Sequence, residues 1–139
     1  MLVDGQPFRT VWIPEEEPEV VRIIDQRRLP FVFTLEDLRT TDEVACVIQD
    51  MWVRGAGCIG ATAGFGMWLA TKEAATDNDF DTALVRLSEK LRSTRPTAVN
   101  LAWAIDRQLE ILAQSNEIPA KIDAARATAQ LIADEDAAA

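Results

Sequence analysis

The sequence predicts an α+β protein: a short N-terminal antiparallel β-meander over residues 1–38, then a bundle of about five helices over residues 39–139. Three observations predict it. Four of the six prolines, Pro7, Pro14, Pro18 and Pro30, fall before residue 34 and cut that stretch into short apolar runs. Proline removes a ladder donor, so strands there must be short and bounded by turns. From residue 40 onward apolar residues recur at helical spacing. Five of the six glycines then crowd into one run, Arg54-Gly55-Ala56-Gly57-Cys58-Ile59-Gly60-Ala61-Thr62-Ala63-Gly64-Phe65-Gly66.

In the first part, strands are expected within 8–13, 20–24 and 31–33, with a first strand at Leu2-Val3 turning at Asp4-Gly5. Glu15-Glu16-Glu17-Pro18-Glu19 reads as a solvated hairpin tip. Asp25, Arg27 and Arg28 form a charged cluster, which the composition favours as a surface turn. Thr40 and Glu43 have capping-box spacing, opening a helix over about 41–53 with Val44, Val47, Ile48 and Met51 on one face. A second helix over about 60–76 is apolar almost all round, which places it centrally. Asp77-Asn78-Asp79 breaks the chain and caps a third helix, about 79–93, with Phe80, Ala83, Leu84, Leu87 and Leu91 on one face. Proline favours the first helical position, so Pro96 is expected to start a fourth helix, with Val99, Leu101, Trp103, Ala104, Ile105, Leu109 and Leu112 inward. Pro119 opens a fifth, about 119–134, with Ile122, Ala125, Ala129 and Ile132 inward. The four tryptophans, Trp12, Trp52, Trp68 and Trp103, are spaced like core residues.

Composition bounds the function. A chain of 139 residues is one domain, or a small domain with an arm. The net charge of −9 argues against nucleic acid as a partner. No apolar run is long enough to span a membrane, and the start lacks a secretory pattern, so a cytoplasmic protein is expected. Cys46 and Cys58 lie in apolar settings and are expected as buried, reduced thiols. Histidine is absent. That removes histidine metal sites, Ser–His and Cys–His pairs and a histidine base. Nothing in the sequence calls for a cofactor or a metal.

The glycine run supports two accounts. An arginine, free backbone N–H groups and a helix N-terminus are the parts of an anion cradle. Small residues also let helices approach closely. Arg95 repeats the first pattern, standing directly before the expected start of the fourth helix. Two guanidinium forks at two helix starts could grip one phosphate. Cys58 near a helix start is a weak nucleophile candidate and a better small packer. Asn100, on a first helical turn, reads as a solvated or locally bonded amide.

The motifs Arg-Thr-Val-Trp at 9–12, Val-Arg-Ile-Ile-Asp-Gln-Arg-Arg-Leu-Pro at 21–30, Ile-Gln-Asp-Met-Trp-Val-Arg-Gly-Ala at 48–56, Ile-Gly-Ala-Thr-Ala at 59–63 and Arg-Pro-Thr-Ala-Val-Asn-Leu at 95–101 carry a resemblance. In this order the chain resembles the N-terminal domain of methylthioribose-1-phosphate isomerase, a family related in fold to the regulatory subunits of translation initiation factor 2B. The resemblance implies an aldose–ketose isomerisation in methionine salvage, from 5-methylthioribose 1-phosphate to the ribulose 1-phosphate. It implies substrate-binding roles for Arg54, Gly55, Ala56 and Arg95, and a homo-oligomer. It also places the family's catalytic cysteine and aspartate in a larger C-terminal Rossmann-like domain that these residues do not include. No catalytic residue is therefore expected here, and catalysis would need that C-terminal domain or a partner chain. Where the family usually has Pro-Ala after Arg-Gly-Ala, this chain has Gly57-Cys58, which opens the identity of the 5-substituent. The alternative is a non-catalytic ligand-sensing or protein-interaction module, like the initiation factor relatives.

Overall fold

A computed structural model describes residues 2–3, 6–7, 10–28, 35–53 and 55–138. Five short strands precede five helices: β1 (Leu2–Val3), β2 (Gln6–Pro7), β3 (Val11–Trp12), β4 (Val21–Ile24) and β5 (Leu35–Leu38), then α1 (Thr41–Gln49), α2 (Ala56–Ala74), α3 (Phe80–Arg92), α4 (Val99–Leu112) and α5 (Ile118–Ala138). A 3-10 turn, Gln26–Arg28, follows β4. The α+β class and the order of elements match the expectation.

β3, β4 and β5 form one antiparallel sheet, with β4 in the middle. Its register places Val11 opposite Ile23 and Arg22 opposite Asp37. That cross-strand pair is an ion pair, Arg22 Nε to Asp37 Oδ1 at 2.7 Å, and Arg22 also reaches Glu16 in the β3–β4 turn. The Arg22 guanidinium holds the Asp37 carboxyl below the usual carboxylate range. Among the described residues β1 pairs with β2, in a ladder separate from the three-stranded sheet. The strand expected at 31–33 and the Asp4-Gly5 turn lie outside the described residues; the third strand of the sheet is Leu35–Leu38. Asp25 corrects the surface-turn expectation. It is 2% exposed, and Arg27 donates to it from both backbone and guanidinium while stacking 3.7 Å over the Trp52 ring. The side chain of Arg28 lies outside the described residues.

Thr40 and Glu43 do form a capping box: the Glu43 N–H donates to Thr40 Oγ1 at 3.1 Å, and the Thr40 N–H donates back to Glu43 Oε1 at 3.2 Å. α1 ends at Gln49, earlier than expected, in a Schellman turn. The Trp52 N–H donates to Val47 O and the Met51 N–H to Ile48 O. Met51 takes a φ of 62° and leaves the buried face. Left-handed backbone at a non-glycine residue costs about 1–2 kcal/mol.

α2 touches each of the other four helices, and fifteen of its nineteen residues are buried, on every side. Its glycines are notches for these neighbours. A Cβ at Gly60 would stand 3.3 Å from the Asn100 carbonyl of α4. At Gly64 it would stand 3.2 Å from Ile132 Cδ1 of α5, and at Gly66 2.8 Å from Val44 Cγ1 of α1. Gln108, fully buried on α4, joins the same helices by donating to Gly64 O and Ala125 O, each at 2.9 Å. An apolar pattern does not reveal it as a core residue. α4 also departs from its expected face. Val99 and Trp103 are 77% and 47% exposed, while Leu101, Ala104, Ile105 and Leu112 pack inward. Trp103 is thus not a core residue; the Arg107 guanidinium lies 5.2 Å from its ring. Cys46 is exposed and Cys58 is buried.

Candidate anion-binding site at the start of helix α2

Gly55 decides where α2 begins. It takes a φ of 89°, a left-handed conformation open to glycine. The chain then turns so that the Ile59 N–H makes the helix's first bond, to Gly55 O at 2.9 Å. The helix therefore starts at Ala56 rather than near residue 60, and most of the glycine run lies inside it. The N–H groups of Ala56, Gly57 and Cys58 precede that first bond, so they lack partners within the helix. Gly55, the residue at the cap position, has no side chain to bond them. Together they form the positive end of a long helix dipole.

Arg95 reaches the same place from the other side. The expectation that Pro96 starts α4 is corrected: Arg95, Pro96, Thr97 and Ala98 form a turn closed by the Ala98 N–H donating to Arg95 O at 2.9 Å, and the helix starts at Val99. Proline suits the second position of such a turn as well as the first of a helix, so sequence alone does not separate the two. Arg95 therefore stands four residues before the first residue of α4, not directly before the helix. It nonetheless lines one groove of about 320 Å³ with Gly55 and Ala56. Met51, Ile59, Val99 and Asn100 supply further wall. Among the described residues no carboxylate lies within ion-pair distance of Arg95, whereas Arg22, Arg27, Arg39, Arg92 and Arg107 are each matched to one. Three of the four residues singled out in the sequence thus share a groove. The fourth, Arg54, lies outside the described residues.

The rest of the surroundings are acidic or inert. A second groove of about 200 Å³ shares Asn100 and is bounded by Gly57, Trp103 and Asp136. The Asp136 carboxylate packs so closely on Gly57 that a Cβ there would collide with it. Glu135 beside it is held by Arg107 through two bonds of 3.0 and 2.9 Å. Burial pushes the Cys58 thiol above its ordinary value. The carboxylate of Asp50, 3.4 Å from its sulfur, does the same for Cys46. Neither cysteine is primed as a nucleophile. Among the described residues no group of three or more histidine, cysteine, aspartate or glutamate side chains could hold a metal ion. No described helix is long and apolar enough to cross a membrane.

Comparison with known proteins bears on this geometry. The model of the initiation factor 2 subunit family matches residues 52–139, which includes all of α2, α4 and α5 and every lining residue of the groove except Met51. The chain belongs to the initiation factor 2 subunit family. Within that family it is 44% identical over 138 residues to the methylthioribose-1-phosphate isomerase of Methylorubrum extorquens, covering 99% of this chain and 36% of that protein. The isomerase of Paramagnetospirillum magneticum is equally similar, at 44% over 138 residues. Among solved structures, 5-methylthioribose 1-phosphate isomerase from Pyrococcus horikoshii superposes with a TM-score of 0.80 at 36% identity, over 91% of this chain and 36% of that one. The delta subunit of translation initiation factor eIF-2B from A. fulgidus superposes with a TM-score of 0.76 at 29% identity, over 93% and 37%. This family member therefore spans about a third of the length of these relatives.

Proposed function

We propose that this chain is the substrate-binding part of an aldose–ketose isomerase acting on 5-methylthioribose 1-phosphate or a related 5-substituted ribose 1-phosphate. The observation that carries the reading is the convergence of Arg95 with Gly55 and Ala56 on one groove, at the start of α2. A phosphate there would accept from backbone N–H groups and from a guanidinium that no described carboxylate pairs, against the charge of Asp136 beside Gly57. Arg54, next to Gly55 in sequence, is the fourth member of this set. The names of the isomerase relatives, with their high identity across the whole of this chain, support the same substrate class.

Isomerisation moves a hydrogen from C2 to C1 of the sugar, and that needs a positioned acid and base. Both thiols in this chain are held above their ordinary values, and histidine is absent. Following the family resemblance, the proton-transfer groups are assigned to a C-terminal catalytic domain or a partner chain, which would also cover the exposed Val99 and Trp103 beside the groove. Arg95→Ala tests the reading in an inorganic phosphate titration followed by phosphorus NMR. The unaltered chain should bind, and the variant should lose about 1.5–3 kcal/mol, the worth of hydrogen bonds to a charged group. Equal binding by both would refute the cradle.

A second reading has one observation in its favour, the superposition on the initiation factor delta subunit. It makes the chain a non-catalytic interaction module. A chain that captures another protein, with the complex indifferent to sugar phosphate, would favour that reading.

A further inference from the structure

Met51 stands where the fold asks for glycine. The Schellman turn after α1 is fixed by the Trp52–Val47 and Met51–Ile48 backbone bonds, and it holds Met51 at a φ of 62°. Glycine is the usual residue at that position because it has no Cβ to strain. Met51 is the one non-glycine residue with positive φ among the described residues. The turn accounts for the backbone; it leaves the methionine side chain to be explained.

Packing does not explain it. Met51 is 49% exposed, so its side chain recovers little from the core. What the side chain does is line the groove that holds Gly55, Ala56 and Arg95. Val99, 77% exposed, and Ile59 line it too. The groove thus joins a wall of N–H groups and a guanidinium to a wall of apolar side chains. A strained residue kept against its local preference marks a functional position when the strain brings a side chain to a site.

We infer that Met51 is a specificity-determining residue of this groove, giving an apolar 5-substituent of an anionic sugar ligand its contact surface. The inference rests on the substrate-binding reading above. Methionine suits this role because its side chain is unbranched, adaptable and polarizable, and fills irregular apolar gaps. Val99 and Ile59 extend the same surface.

Met51→Gly is the informative variant, because it removes the side chain and relieves the backbone at once. It should fold with a Tm equal to or above that of the unaltered chain. Calorimetric titration of both chains with 5-methylthioribose 1-phosphate and with ribose 1-phosphate then reads the side chain's role. The variant should bind the methylthio sugar about fivefold more weakly, the scale of one apolar group left without its contact, and ribose 1-phosphate unchanged. An equal loss for both ligands, or no loss for either, overturns the inference and leaves the substrate-binding reading standing. A lower Tm assigns Met51 to packing and overturns it as well. Binding of neither sugar phosphate by the unaltered chain overturns the substrate-binding reading, and the inference with it.

Discussion

Gly55 and Gly66 sit at opposite ends of the same glycine run and serve different purposes. Gly55 has a φ of 89° and nothing within 4 Å of the place a Cβ would occupy. It is glycine for the sake of its backbone, and its environment is open. Gly66 has ordinary helical backbone, but a Cβ would stand 2.8 Å from Val44 and 3.2 Å from Leu91. It is glycine for the sake of its neighbours. The run's first glycine sets the start of α2, where the anion cradle is proposed, and its later ones let four helices crowd around α2.

The largest expected effect breaks the packing end. Gly66→Leu forces a whole side chain between α1 and α3 and should cost about 3 kcal/mol in urea denaturation, at the upper end of overpacking. It should leave the groove residues, and phosphate binding by the folded fraction, unchanged. The Arg95→Ala loss of affinity comes next, and it should leave the denaturation midpoint where it was. Gly55→Ala fills no occupied space, so its cost should be conformational, about 1 kcal/mol, together with weaker phosphate binding because the helix start moves. If Gly55→Ala changed stability alone and Gly66→Leu changed binding alone, the division between the two ends would be wrong.

The smallest effect lies far from the run and serves as a reference. The Asp37 carboxyl, held low by Arg22, contributes stability that is complete above its unfolded value of about 4. That stability is lost as pH falls through the depressed folded value. Asp37→Asn should flatten the acid limb of the stability–pH curve below about pH 4 and leave phosphate binding at neutral pH alone.

Much of this is legible in the sequence because it rests on local chemistry. The capping box at Thr40 and Glu43, the Asp79 cap and the inward faces of α3 and α5 follow from side-chain types at fixed spacing. What is not legible depends on long-range geometry. An all-round apolar pattern places α2 centrally, yet does not extend it back through Gly57 to Ala56. Pro96 fits a turn as well as a helix start. Val99 and Trp103 fit an apolar helix face, and only the packing of α4 shows that they stand outside it. Of the candidate site, Arg95 follows from charge, although the helix start expected directly after it is a turn, and Gly55 and Ala56 follow from the family resemblance. Met51 escapes that logic because the apolar spacing of α1 absorbs it; the signal that could reveal it is the change of backbone hand after residue 50. Gly57 stands out as a departure from the resembling family, and the close approach of Asp136 gives its physical reason.

A phosphorus NMR spectrum of 5-methylthioribose 1-phosphate, recorded with the purified chain and again with Arg95→Ala, tests the anion cradle most directly. The cradle predicts a shifted or broadened substrate line with the unaltered chain, a line restored to its free position by the substitution, and no ketose phosphate in either sample. A substrate line untouched by the unaltered chain, or shifted equally by both proteins, would contradict it.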